Sequence, residues 1–500
     1  MRPVHLVPAG VVLLALGALG AFAQLDHPAA ATATAPVAVT RPVTVSSAAR
    51  ACPPALGGGS GTVASIAAPA ASAGSSAAGS SAGQAELTAL PPAGIALRPV
   101  SPVSLKSAGA VSLLTVPATS SAAKKSTAAP AGWSVIASGT MAQAIEAEVA
   151  QSSGLASVRC GEPGSDIWFA GPGQQNGASQ IQLDLMNIDS LAANVDVRMI
   201  TDAGPVQLGN GTGITVPPHA TVTQSLSAAA GNSAVVAIEV HTSTGRVAAD
   251  VSEGGSHGST TSWLPSAAEP STQLVIPGVP QSSGAAGLFL VVPGNTNAKV
   301  NVVAITPQGQ YRPFASQAVE LPSQSASYVA LTPLGGAAAL EITANVPVTA
   351  AVLVPGSGVG AFTAATAPIS EQAVIAGNTS GSGFAASVVL SAPAGAARVR
   401  LTEIAEATGS GSGGTGARAS QVSSVQAGRT LVVSVKPPSG AKHGSPFAIV
   451  ITPLPGSGPL YAARVETQGQ NTAVSIIPAV SALTTISLPP VRDSYDAISP

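Results

Sequence analysis

The chain has 500 residues, of which 45% are apolar and only 8% charged, with 54 Gly, 42 Pro and a net charge of −2 at pH 7. Soluble proteins average roughly 25% charged residues, so the composition excludes a helix bundle with charged outer faces and favours strands and turns surfaced by Ser, Thr, Gly and Ala. A nucleic-acid partner is excluded too, because phosphate binding needs a concentrated positive field and the only adjacent lysines are Lys124-Lys125.

Arg2 precedes an apolar run from Leu6 to Phe22, and Ala21-Phe22-Ala23 offers a small-x-small cleavage site before Gln24. Residues 1–23 are therefore expected to be a signal peptide or signal anchor, which puts the rest of the chain outside the cytoplasm, either secreted or held to the membrane through that segment. Residues 24–132 are biased toward Ala, Ser, Pro and Gly and are expected to be a low-complexity region with some short strands. Cys52 and Cys160 are the only cysteines. An even count in an exported chain favours a disulfide between them, the alternative being two separate buried thiols. Neither cysteine has the Cys-x-x-Cys spacing of a metal site. Thr140-Met141-Ala142-Gln143 fits a capping box before Ile145 to Val149 and marks a candidate helix, with an irregular Gly-flanked segment as the other reading.

From about residue 165 the chain repeats itself. Trp168-Phe169-Ala170-Gly171, Val275-Ile276-Pro277-Gly278 and Val374-Ile375-Ala376-Gly377 open three units, their glycines 107 and 99 residues apart. An apolar strand follows in each (Ile181 to Leu185, Leu288 to Val292, Val388 to Leu390), then a second strand starting at Val195, Val300 and Val399, spaced 105 and 99 apart. Two landmarks with matching spacing indicate a true repeat. About seven short strands in each unit of about 100 residues fit an all-β fold of three tandem Ig-like β-sandwiches. The expected boundaries are 133–265 for the first with an N-terminal extension, 266–370 for the second, 371–470 for the third and 471–500 for a tail. The alternative is a β-propeller-like ring with two four-stranded blades per repeat, which the strand-like Val474 to Ala479 would help to close.

Several stretches resemble a secreted actinobacterial family known only as a domain of unknown function. They are Cys52-Pro53, the run Cys160 to Gly173, Leu185-Met186-Asn187 to Pro205, Val216-Pro217-Pro218, Trp263-Leu264-Pro265, and Val292-Pro293-Gly294 leading to Thr306-Pro307-Gln308-Gly309. The resemblance spans roughly residues 40–480 and fades in the Gly/Ser-rich insertion around Gly409 to Gly416. It implies an exported envelope protein with Ig-like repeats and brings no activity or catalytic motif with it.

The search for chemistry yields no catalytic, cofactor-binding or metal residues. Asp250 and Glu253 lie near His257, but no Gly-x-Ser-x-Gly elbow presents a nucleophile. His219 and His443 are isolated. Glu239 and His241 share one strand face, yet a metal site needs a third ligand. Asp184, Asp189, Asp196 and Asp202 could supply the paired carboxylates of glycoside hydrolysis, but the other units lack acids at the matching positions, and Asn187 to Ser190 and Asp202 to Pro205 read more simply as turns. Gly209-Asn210-Gly211-Thr212-Gly213 lacks the Lys and helix of a phosphate loop. Trp168, Trp263 and Tyr311 are the aromatic candidates for a sugar platform, with core packing the simpler role for the two tryptophans. The expectation is a non-enzymatic structural or interaction protein of the cell envelope, with no cofactor, whose partner is an envelope protein or glycan. A glycan- or peptidoglycan-binding module and an envelope enzyme with a dispersed site are the alternatives.

Overall fold

The structure is a computed structural model that describes residues 41–488, apart from 57–58, 69–82, 98–99, 106–107, 117–128, 152–154, 256–260, 282–283, 315–317, 357–359, 380, 382, 407–415, 443 and 470–472. The expected export segment, Lys124-Lys125, His257, His443 and most of the Gly/Ser insertion lie outside the described residues. Arg41–Thr44 and Thr485–Leu488 pair as a two-stranded sheet.

The stretch around Trp168 shows the repeating plan. Its first strand (Asp166–Pro172), fifth (Val235–Thr244) and third (Ala193–Thr201) form one sheet, extended by short hairpin strands at Gly204–Val206 and Ile214–Val216. Its fourth (Ala220–Ser225), second (Ala178–Asn187), sixth (Ala248–Gly255) and seventh (Thr261–Leu264) form the other. All named pairings are antiparallel. The same order recurs from Ser271–Val279 to Ala361–Ala364, where fifth and sixth strands are one continuous strand, Ala338–Val354, and from Ala373–Asn378 to Ala473–Pro478. The three opening landmarks fall on the three first strands, and Val474 to Pro478 is the seventh strand of the last unit rather than the start of another.

The same order also occurs a fourth time, ahead of these three. Ser47–Cys52, Gly132–Ser138 and Gln84–Leu90 make one sheet; Ser112–Val116, Gly61–Ala67, Ile145–Gln151 and Ser157–Arg159 make the other. Here composition suggested only short strands. We number the repeats one to four from this unit onward. The candidate helix is corrected: Gly139–Ala142 is a single 3-10 turn, and Ile145–Gln151 is the sixth strand. Ala144 takes a left-handed φ of 47°, which interrupts any helix, and Thr140 Oγ1 accepts a hydrogen bond from the Gly83 amide. The Ig-like strand order is corrected as well. An Ig sandwich keeps its second and fifth strands in one sheet, whereas here they lie in opposite sheets. Alternating polarity reports which face of a strand is buried and carries no information about its hydrogen-bonding neighbour.

The two sheets of a repeat share a core, such as Phe169, Leu183, Leu185, Val197 and Met199 in repeat two. Their other faces are buried as well. The first-strand sheet of repeat two packs against Phe289, Ala351 and Phe362 of repeat three. That of repeat three meets Val389, Ala463 and Val465 of repeat four. Val374, Ala376 and Ile404 of repeat four meet Ala64 and Ile66 of repeat one, and Ala51 and Leu90 of repeat one meet Met186 and Ala248 of repeat two. The eight sheets therefore close into a ring, and the four seventh strands touch in cyclic order around its hub. The tandem-sandwich and ring readings thus describe one molecule. Strands covered on both faces need no polar alternation, which is why Gly287–Val292 is buried throughout.

Candidate functional site

Cys52 ends the first strand of repeat one, and Cys160 follows its seventh. They are joined by a disulfide with an S–S distance of 2.01 Å. Beside it, the sixth strand of repeat one turns Glu146 and Glu148 to one face, because residues two apart on a strand share a side. Glu146 Oε1 accepts from Arg50 Nη2 at 2.9 Å and from Arg159 Nη2 at 2.6 Å. Burial pushes the Glu146 carboxyl up, but the two guanidiniums outweigh it and hold it below its ordinary value. Glu148 accepts from the Gly377 amide at 3.1 Å and lies 3.2 Å from Arg464. Burial dominates there and raises the Glu148 carboxyl to about 7, against the pull of Arg464. Arg464 also donates to Glu466, to the Gly377 carbonyl, and to the hydroxyls of Ser157 and Ser475 on two seventh strands. These charges fasten repeat one to repeat four at the hub. The alternation in Ile145-Glu146-Ala147-Glu148-Val149 was their one sequence signal, masked by the helix reading.

A cavity of about 480 Å³ opens at the hub among the seventh strands of repeats one, two and four. Arg159, Asp250, Trp263 and Ile477 are among its walls. A second, of about 500 Å³, lies further along Asp166–Pro172 and is lined by Trp168, Arg198 and Glu239 of repeat two and by Asn295 of repeat three. Asp166 and Glu269 line both, so the two cavities share a stretch of wall. In the second, Arg198 Nε sits 2.6 Å from Glu239 and its guanidinium lies 5.8 Å from the centre of the Trp168 ring. Asp166 stands directly across from His241 and shares a 2.6 Å hydrogen bond with it. That bond holds Asp166 below its usual range and raises His241.

The four aspartates singled out from sequence do not converge. Asp189 pairs with Arg246, Asp196 accepts from the Gly213 amide, and Asp202 accepts from the Ala234 amide. Asp184 is buried and lies directly opposite Asp250 in register. Thr223 and Gln182 hydrogen-bond Asp184, yet burial still raises its carboxyl. Asp250 is raised well above its usual range by burial and then by Asp184, against Arg159. Glu253 points to the opposite face, fully buried and with neither oxygen hydrogen-bonded, and burial alone raises it. Trp168 and Trp263 are each 4% exposed and Tyr311 38%, so the tryptophans form cavity walls and no flat platform. Glu239 and His241 do share a face, and among the described residues no group of three or more His, Cys, Asp or Glu is placed to hold a metal ion.

Residues 115–436 match the model of a family described as "Family of unknown function (DUF5719)". The match begins inside repeat one and ends inside repeat four. No curated protein and no solved structure matches this chain.

Proposed function

The chain belongs to DUF5719, a family of unknown function, and from that premise we propose that it is a non-catalytic interaction protein of the cell envelope, working outside the cytoplasm. The observation that carries this reading is the pair of cavities between repeats. Several of the ionisable side chains around them are tied to partners, Asp166 to His241, Glu239 to Arg198 and Arg159 to Glu146, instead of activating a nucleophile. The apolar leader and the Cys52–Cys160 bond support an oxidising, extracytoplasmic compartment. A ring with a cavity at a repeat junction suits a binding role, since ligand sites favour such concave junctions. The expected partner is an envelope protein or glycan.

The test is to incubate the exported full-length chain with isolated envelope and identify what co-sediments. Specific retention of one envelope component supports the reading. Turnover of an envelope glycan or peptide that is lost in His241→Ala or Asp250→Asn would replace it with the enzyme reading.

A further inference from the structure

The two cavities have an unbalanced set of charges. In a chain with 22 acidic and 20 basic side chains, their walls carry the carboxyls of Glu162, Asp166, Glu239, Asp250 and Glu269 against the guanidiniums of Arg159 and Arg198 alone. Both guanidiniums are engaged at 2.6 Å, by Glu146 and Glu239, although Arg159 keeps Nε buried without a hydrogen bond and lies near enough to Asp250 to pull on its carboxyl. Asp166 is met by His241 and Glu162 by Arg50. Two acids are left over. Glu269 is exposed, lines both cavities and forms no ion pair among the described residues. Asp250 is 4% exposed, lines the hub cavity, and keeps Oδ2 buried without a hydrogen bond. A buried acid facing Asp184 with an unfilled oxygen is costly to the fold, and its position in a cavity wall gives it a use. The remaining hub walls include Trp263, Pro265, Ile167 and Ile477, which are apolar. Because neither tryptophan offers an open ring face, stacking of a neutral sugar is disfavoured.

We propose that the hub cavity binds an ammonium group on a flexible apolar stem, as a lysine side chain or a polyamine presents, with Glu269 and Asp250, both in its wall, meeting the cation. The proposal rests on the reading of the protein as a binding protein and names the chemistry of what it binds. Entry of the cation lets Asp250 ionise, since an opposite charge within a few ångströms favours the charged form. The apolar walls take up the methylene stem while the head stays with the carboxylates.

The experiment titrates the full-length chain with tri-lysine, with its fully N-acetylated form, with spermidine and with maltotetraose, following tryptophan fluorescence and heat. Tri-lysine, spermidine or both should bind, the pair separating a peptide source from a polyamine. The acetylated peptide and the sugar should not bind. Glu269→Gln should weaken amine binding about fivefold or more, and Glu269→Arg should abolish it, with unchanged melting because the side chain is exposed. Asp250→Asn should weaken binding as well; if that variant does not fold, the two Glu269 variants carry the test. Glu320→Gln, at an exposed position of repeat three, should bind as the parent does. Absence of amine binding, equal binding by the acetylated peptide, preferred binding of maltotetraose, or full affinity in Glu269→Gln would each overturn the proposal. Envelope retention that persists when amine binding is absent overturns this inference and leaves the interaction role standing.

Discussion

Arg464 of the fourth repeat and Glu148 of the first stand 3.2 Å apart, both withdrawn from solvent, at the seam where the ring closes. Four further groups accept from the two terminal nitrogens of the same guanidinium, so the pair is neither isolated nor exposed. Breaking a buried pair from one side strands the other charge, which costs about 3–5 kcal/mol, whereas replacing the whole set by apolar or neutral groups costs far less. Arg464→Ala should therefore lower stability in urea unfolding by about 3–5 kcal/mol. Arg464→Met combined with Glu148→Gln and Glu466→Gln should recover most of the loss. Equal damage from the single and triple variants would show that the charges do not act as a unit.

Stability should depend on pH through the buried acids. Glu148 is raised from 4.5 to about 7 in the folded chain, so folding favours its protonated form. That contribution is fully present below the unfolded value and is lost as pH rises through about 7. Glu253 is shifted in the same direction by burial alone. Glu253→Gln should accordingly be more stable than the parent at pH 8, by on the order of 1–3 kcal/mol, with the gain vanishing near pH 4. Thermal melts of both chains across that range would measure it, and a pH-independent difference would refute the assignment.

Gly278 marks how closely the repeats approach. Its φ is +77°, and an added Cβ would lie 2.3 Å from the Ala463 Cβ in the next repeat. Gly278→Ala should cost about 2–4 kcal/mol, combining left-handed strain with overpacking. Gly294→Ala, where nothing lies within 4 Å, should be near neutral. Chemical unfolding of the two variants gives the comparison.

The disulfide links residues 108 apart. In the chain-entropy model such a loop contributes about 4–5 kcal/mol. Cys52→Ala with Cys160→Ala should lower the unfolding free energy by up to that amount, and reduction of the parent chain should reproduce the loss. Little effect from either would place the stability of repeat one in its sheets alone.

Residues 160–480, which keep all of repeats two to four, should not fold as a well-behaved fragment. Removing repeat one uncovers Met186 and Ala248 of repeat two on one side and Val374, Ala376 and Ile404 of repeat four on the other. Such contiguous apolar faces promote association. Gel filtration and near-UV circular dichroism should report aggregation or loss of fixed packing, and a monodisperse fragment with native-like spectra would show that the sandwiches are independent.

The three later repeats were legible because their strands follow large apolar residues at regular spacing, and burial of such residues is the dominant force in folding. Strand content, the two-sheet layering and the pairing of the only two cysteines also follow from local residue properties and counts. Repeat one was hidden because its strands, such as Ser47–Cys52 and Gln84–Leu90, are built from Ala, Ser and Thr. These residues gain a core only when neighbours supply the covering surface. Hydrogen-bond partners in a sheet lie far apart in the chain, so the departure from Ig order and the closing of the ring belong to tertiary structure. The same holds for the chemistry. Asp184 and Asp250 are unremarkable apart, and only the register of two strands sets them face to face in a water-poor seam, where like charges cannot both persist. Glu269, Asp166 and Trp263 become walls of one cavity only because the repeats meet around a hub.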